Sequence, residues 1–375
     1  MNGMRPEPGA LRPDRVEGAV LSSSNGPELR IAVLGLGLMG SFHVDALTRR
    51  VRGSRVVVVN DFLSDKAESM ARAIGARSVA DPLAAIHDAE VDAVLIASPG
   101  DAHDAQVNAC LDAGVPVLCE KPLTTDVASA YAIVQKEAAL GRPLVQVGFM
   151  RRFDPEYVAL HELITSGGLG NPLMVHCTHR NPAVADHFNS EFMIRDCVVH
   201  EVDVARFLLD EEIASVQVVR GVATSRAPAG VSDPMLVILE TTSGRIVTDE
   251  VYVRSQVGYE VRTEVVGEQG IATIGLDQNL QLKSADGRWG GAIAPGFVQR
   301  FGTAYDIELQ RWVDAARTGT IDGPGAWDGY AAVAVCEAGV EAVRTGAKVD
   351  VRLERRPLAE PEPGITAPDL EAARP

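Results

Sequence analysis

Short apolar runs alternate with longer amphipathic stretches along the first 150 residues. RIAVLG, SRVVVVND, VDAVLIAS, VPVLCE and PLVQVGF are rich in Val, Ile and Leu and lack polar alternation. Between them lie helix-like segments: Leu38 to about Arg50, SDKAESMARAIG, DAHDAQVNACLDAG and TDVASAYAIVQKEAALG. Near-continuous apolar strands are buried on both faces, and parallel neighbours need helical crossovers. The pattern therefore predicts a doubly wound parallel sheet that closes near Phe149.

The rhythm then changes. DPEYVALHELITSG reads as a helix, PLMVHCTHR as a strand, and VHEVDVARFLLD as another helix. Next come ASVQVVRGV, MLVILETT, RIVTDEVYV, YEVRTEVVGE and GIATI, several with apolar–polar alternation and with turn residues such as Ser243-Gly244 between them. That succession predicts a mostly antiparallel sheet. Two helices, near Arg300–Arg317 and Ala326–Arg344, end the domain, leaving few helices to cover the sheet's second face. The expected class is α/β: a Rossmann domain over 29–150, then an α+β domain with an open-faced, mostly antiparallel sheet over 151–353. The Pro-, Gly- and Ser-rich start (1–28) and the Pro- and Glu-rich end (354–375) read as a disordered arm and tail.

Composition narrows the function. A net charge of −16 disfavours nucleic acid and anionic membranes, both of which need a basic face. The five cysteines are widely spaced without CxxC or Cys/His ligand spacing, so neither a metal site nor a disulfide framework is expected. A reducing cytoplasm fits. The N-terminal segment has no apolar core for a signal peptide, and no apolar run is long enough to span a bilayer.

Gly35-Leu36-Gly37-Leu38-Met39-Gly40 is a GxGxxG that follows a strand and opens a helix. Asp61 closes the next strand about 20 residues on, completing a dinucleotide fingerprint. Gly35 permits the tight turn, Gly37 the approach of a pyrophosphate, and Gly40 close helix–strand packing. The helix start at Leu38 and Met39 supplies N–H groups and a positive dipole end. Asp61 accepts from ribose hydroxyls and repels a 2′-phosphate, while Phe62 offers no cation, so NAD is expected over NADP.

Candidate chemistry falls in two places. Glu120-Lys121-Pro122 follows a strand at the carboxyl edge of the parallel sheet. Asp196 and His200 are four apart, so a helical turn would put them on one face. Alcohol oxidation needs a base for the hydroxyl proton and benefits from a cation at the developing alkoxide. Taken singly, a solvated loop lysine, a capping aspartate and a core histidine account for these residues better; taken together with the dinucleotide fingerprint, they do not.

GLGLMG, EKP, GFMRRFDP and DCVVHEVD, in this order, resemble the Gfo/Idh/MocA oxidoreductases, and most of all their bacterial inositol 2-dehydrogenase branch. The likeness covers about residues 30 to 350. It implies Lys121, Asp196 and His200 as the catalytic set, with His200 as base and Asp196 orienting its imidazole. It implies Met150, Arg151, His179, Asn181 and Tyr259, with the catalytic set, as substrate lining, and Ser98, Glu120 and Lys121 on the cofactor side. It further implies NAD-dependent oxidation of a small cyclic polyol, myo-inositol to 2-keto-myo-inositol first, by a homotetramer joined through the second sheet. Ser98-Pro99 stands where some inositol enzymes carry Ser-Trp, which bears on the nicotinamide-side wall and the preferred epimer. Rival readings are a dehydrogenase of scyllo-inositol, glucose or another pyranose or nucleotide sugar, and a non-catalytic NAD-binding sensor.

Overall fold

The computed structural model describes residues 27–276, 282–284, 287–289 and 293–357. The arm expected at 1–28 lies outside the described residues except for 27 and 28, and so does the tail beyond Pro357.

The first half alternates as its apolar pattern predicts. β1 (Leu29–Leu34), α1 (Leu38–Arg49), β2 (Ser54–Asn60), α2 (Ser64–Ile74), β3 (Arg77–Ser78) and α3 (Pro82–Ile86) come first. β4 (Ala93–Ile96), α4 (His103–Ala113), β5 (Val117–Glu120), α5 (Val127–Ala139) and β6 (Val145–Gly148) follow. The strands form one parallel sheet in the order β3-β2-β1-β4-β5-β6. The order reverses between β1 and β4, and the crevice at such a switch point is where ligands of these sheets bind.

The second half begins with α6 (Pro155–Thr165), β7 (Pro172–Arg180) and a short helix, α7 (Ser190–Phe192). A π-helical turn over Met193–Val198 leads into α8 (Val199–Leu209). β8 (Ile213–Arg220), β9 (Met235–Thr241), β10 (Ile246–Tyr252), β11 (Glu260–Gly267) and β12 (Ile271–Ile274) are followed by the hairpin β13 (Leu282–Ser284) and β14 (Gly287–Trp289). α9 (Phe297–Ala316), α10 (Ala326–Thr345) and β15 (Val349–Asp350) complete the described chain. The large sheet runs β12-β11-β7-β10-β9-β8-β15 and is mixed, because β7 and β10 pair in parallel while the other neighbours are antiparallel. In β10, Val247, Asp249 and Val251 are buried inward while Ile246, Thr248, Glu250 and Tyr252 are only partly covered, so the outer face is open.

The two halves are more interleaved than the chain order suggests. α9, which the sequence pattern assigns to the second domain, packs on the first sheet: Leu309, Trp312 and Val313 share a core with Ile31, Val33, Val44 and Leu47. Its amphipathic spacing shows that one face is buried, but not which sheet receives it. α10 is buried on most sides and packs against both α5 and β8. No helix among the described residues is long and apolar enough to cross a membrane.

A charge network fastens α10 to the rest. Asp328 caps α10 by accepting from the Gly325 N–H at 2.9 Å, and its other oxygen accepts from Arg152 (2.9 Å) and Arg206 (2.8 Å). Burial opposes the charge on Asp328, but Arg152 and Arg206 outweigh it and hold the pKa at about 2. A carboxylate with a depressed pKa stabilises the fold above its unfolded pKa, and the gain is lost as pH falls toward the folded value. Asp328→Ala should therefore cost about 2 kcal/mol at pH 7, since it removes the carboxylate that Arg152 and Arg206 share, although Asp203 and Glu212 still pair with them. The gap between variant and parent should narrow as pH falls from about 4 toward 2. Urea melts across that range check this; an equal gap at pH 7 and pH 2.5 would show that Asp328 acts by packing alone.

Candidate active site

The Gly-rich turn is built as a close backbone approach. Gly35 has φ +84°, and a Cβ there would lie 2.5 Å from the Ser98 nitrogen. A Cβ on Gly40 would fall 1.8 Å from the Gly35 oxygen, so α1 can sit this near β1 only with glycine. A Cβ on Gly37 would meet nothing within 4 Å: this position faces open space in the crevice. No side chain among the described residues caps the N-terminus of α1, which leaves its first N–H groups for an anion.

Asp61 is nearly buried, and the backbone orients its carboxylate. Oδ2 accepts from Leu36 N–H at 2.8 Å and Oδ1 from Leu63 N–H at 2.9 Å. It lines a crevice of about 610 Å³ together with Gly35, Gly37, Phe62, Ser98 and Pro99. Lys66 of α2 also reaches this crevice, a cation the reading of Phe62 did not anticipate. The exposed glycine, the uncapped helix and the oriented carboxylate fit a dinucleotide with its pyrophosphate at α1 and its adenosine ribose at Asp61.

Leu38 and Met39 also line a second cavity, of about 400 Å³, so the two spaces adjoin. The first sheet supplies Glu120 and Lys121 at the end of β5, with Met150 just after β6. The second sheet and its helices supply His179, Asn181, Asp196, His200 and Tyr259. Phe297 and Tyr305 of α9 close the remaining side.

The structure brings Lys121, Asp196 and His200 into one cavity, but not with the internal pairing expected. Asp196 was expected to orient the His200 imidazole; instead its Oδ1 accepts from Lys121 Nζ at 2.5 Å, and its carbonyl oxygen lies 3.2 Å from the same Nζ. The π-helical turn is the physical reason: it widens the helix around Asp196, so Asp196 and His200 do not stack as in a regular α-helix. Burial opposes the charge of Lys121, but Asp196, with help from Glu120, outweighs it and raises the lysine's pKa. Burial also lowers the pKa of His200 well below its ordinary value, and the charges of Lys121 and Arg151 add to the shift. The cavity therefore holds a fixed cation next to a neutral imidazole.

Arg151 is placed differently from the other lining candidates. Only 1% exposed, it stands behind the cavity wall, paired with Glu201 and 3.3 Å from the His179 ring. Supporting residues that sequence reasoning missed fix the loops. His103 bridges the carbonyls of Pro122 (2.7 Å) and Ser98 (2.9 Å), tying the Lys121 loop to the one after β4. Ser98 Oγ donates to Gln106 at 2.7 Å, and buried His43 of α1 contacts Glu120 at 2.7 Å. These residues lie outside any compact motif; only their contacts reveal them.

Comparison with known proteins agrees with this geometry. Residues 29–149 match a family model described as an oxidoreductase family with an NAD-binding Rossmann fold, and residues 161–351 match the family's C-terminal α/β domain. The chain is 59% identical over 332 residues to inositol 2-dehydrogenase 2 of Mycolicibacterium vanbaalenii, covering 88% of this chain and 97% of that protein. It is 58% identical over 339 residues to inositol 2-dehydrogenase of Rhodococcus erythropolis, covering 89% and 98%. Among solved structures it resembles myo-inositol dehydrogenase from Lactobacillus casei in complex with NAD(H) and myo-inositol. That match has a TM-score of 0.85 and 34% identity, over 88% of this chain and 98% of the other. With both halves matched in order around the crevice and the cavity, the chain belongs to the Gfo/Idh/MocA oxidoreductase family.

Proposed function

We propose that this protein oxidises a ring hydroxyl of a small cyclic polyol with NAD, and that myo-inositol to 2-keto-myo-inositol is its leading reaction. The observation that carries this reading is that Lys121, held by Asp196, and His200 line one cavity that adjoins the dinucleotide crevice, with burial favouring the neutral imidazole and Asp196 the charged lysine. Relatives named inositol 2-dehydrogenase, identical at 58–59% of aligned positions, support the substrate.

Each residue has a task in this reading. NAD, when bound, accepts the hydride from the carbinol carbon. Lys121 donates to the oxygen of that carbon and stabilises its developing negative charge. His200 takes the hydroxyl proton, which its lowered pKa permits at neutral pH. Asp196 keeps Lys121 charged and in place. His179, Asn181 and Tyr259 face the remaining hydroxyls, and Met150 packs against the ring. A lining this polar disfavours deoxy analogues, which leave its groups unpaired.

The assembly belongs to the same proposal. The open sheet face, with Leu236 38% exposed and Ile246 partly covered beside it, supports a homotetramer joined there. The free, buried cysteines suit a reducing cytoplasm.

A panel of myo-inositol, scyllo-inositol, glucose and a linear 2-hydroxy acid tests the substrate by NADH absorbance. Myo-inositol should give the highest kcat/KM, and faster turnover of the 2-hydroxy acid than of any inositol would defeat the reading. Lys121→Met should cut kcat by about three decades while the Kd for NAD stays within about twofold. In the pH profile of kcat/KM, activity should be present above His200's pKa and lost as pH falls through it. Because that pKa is lowered, the acid limb should lie below pH 6.5 and vanish in His200→Asn. Asp61→Ala should narrow the NAD-over-NADP preference at least tenfold, since it removes the repulsion of a 2′-phosphate; an unchanged ratio of kcat/KM would take Asp61 out of the site.

A further inference from the structure

Behind the cavity wall, four buried groups from four elements meet. Arg151 follows β6, Glu201 lies next to His200 on α8, His179 is on β7 and Asp249 on β10. Arg151 Nη1 donates to Glu201 Oε1. His179 Nδ1 lies 3.1 Å from Glu201 Oε2 and 3.3 Å from Arg151 Nη2. Asp249 is wholly buried, and neither of its carboxyl oxygens has a hydrogen-bond partner among the described residues.

The position of one proton decides what His179 offers the substrate. Arginine nitrogens only donate and a carboxylate only accepts, so Nδ1 cannot satisfy both neighbours. Without a proton on Nδ1, a buried carboxylate oxygen would face a nitrogen lone pair at 3.1 Å. With the proton there, Nδ1 makes a charge-assisted bond over the shorter of the two distances, and Arg151 still pairs with Glu201 through Nη1. Burial and the charge of Glu201 drive Asp249 toward its neutral form, so the negative charge of the cluster rests on Glu201. Arg151 stabilises it there.

We infer that Glu201 is a positioning residue that holds the His179 proton on Nδ1 and leaves Nε2 bare, as a hydrogen-bond acceptor toward the cavity. The cavity then has two chemical sides. Lys121 donates at the reacting oxygen, whereas His179 accepts from a hydroxyl elsewhere on the ring. The site requires an O–H at that ring position, and a fluorine or a methoxy group cannot replace it. The substrate part of this inference rests on the polyol reading above, but the position of the proton does not.

Nitrogen-15 NMR of the full chain labelled at histidine reads the tautomer directly, and His179→Gln identifies the signal by its loss. In the free protein at pH 7.5 the proton should sit on Nδ1, with Nε2 unprotonated. A proton on Nε2, alone or together with one on Nδ1, overturns the inference whatever the substrate proves to be. Glu201→Gln offers an amide donor to Nδ1 and should move the proton to Nε2. It should then raise KM for myo-inositol about tenfold, with a smaller change in kcat and an unchanged Kd for NAD. The penalty for a monodeoxyfluoro-inositol altered at the His179-facing position should shrink in the same variant. An unchanged KM, or an unchanged fluoro penalty, in folded Glu201→Gln refutes the positioning role. If that variant does not fold, the tautomer of the parent protein decides.

Discussion

A lysine from the edge of one sheet and an aspartate from a helical turn packed on the other meet at 2.5 Å, and the chemistry of the cavity depends on that contact. Lys121 is only 17% exposed, and a buried ammonium ordinarily loses its proton. Asp196 prevents this. The retained positive charge then acts on His200, whose already desolvated imidazole is pushed further toward neutrality. One ion pair between the two halves thus keeps the cation in the cavity and reinforces the neutrality that burial already imposes on His200, the two states on which the proposed oxidation relies.

The fold makes this meeting possible by interleaving its halves. α9 returns from the second half to the first sheet, and its Phe297 and Tyr305 wall the cavity. α10 wedges between α5 and β8 and is pinned by the Arg152–Asp328–Arg206 network. Relative movement of the halves would separate Lys121 from Asp196. Leu38 and Met39, at the start of α1, line both crevice and cavity, so one helix terminus faces the space for pyrophosphate and the space for reacting groups.

Much of this was legible in the sequence because local constraints leave local marks. A strand followed by GxGxxG and a terminal acid is a compact pattern, and Gly35 and Gly40 have steric tasks that the structure shows. The strands of the first sheet are visible as unbroken apolar runs because they are buried on both faces. Features that depend on distant neighbours were not legible. The spacing of Asp196 and His200 suggested a shared helical face, but a π-helical turn re-aimed Asp196 at Lys121. Arg151 sits in the GFMRRFDP motif, yet it turns inward to Glu201, a residue of the DCVVHEVD motif whose pairing no spacing in the sequence reveals. His43 and His103 support the loops through contacts to residues far along the chain. The amphipathic pattern of α9 announced a buried face without saying which sheet would cover it.

In the proposed reaction, hydride leaves one ring carbon of a polyol held between Lys121 and the dinucleotide. Incubating the protein with NAD and myo-inositol deuterated at carbon 2, then weighing the reduced nicotinamide by mass spectrometry, tests it most directly. The reduced cofactor should carry one deuterium, transferred without exchange with water. Reduced cofactor free of deuterium, or no reduction at all, would contradict it.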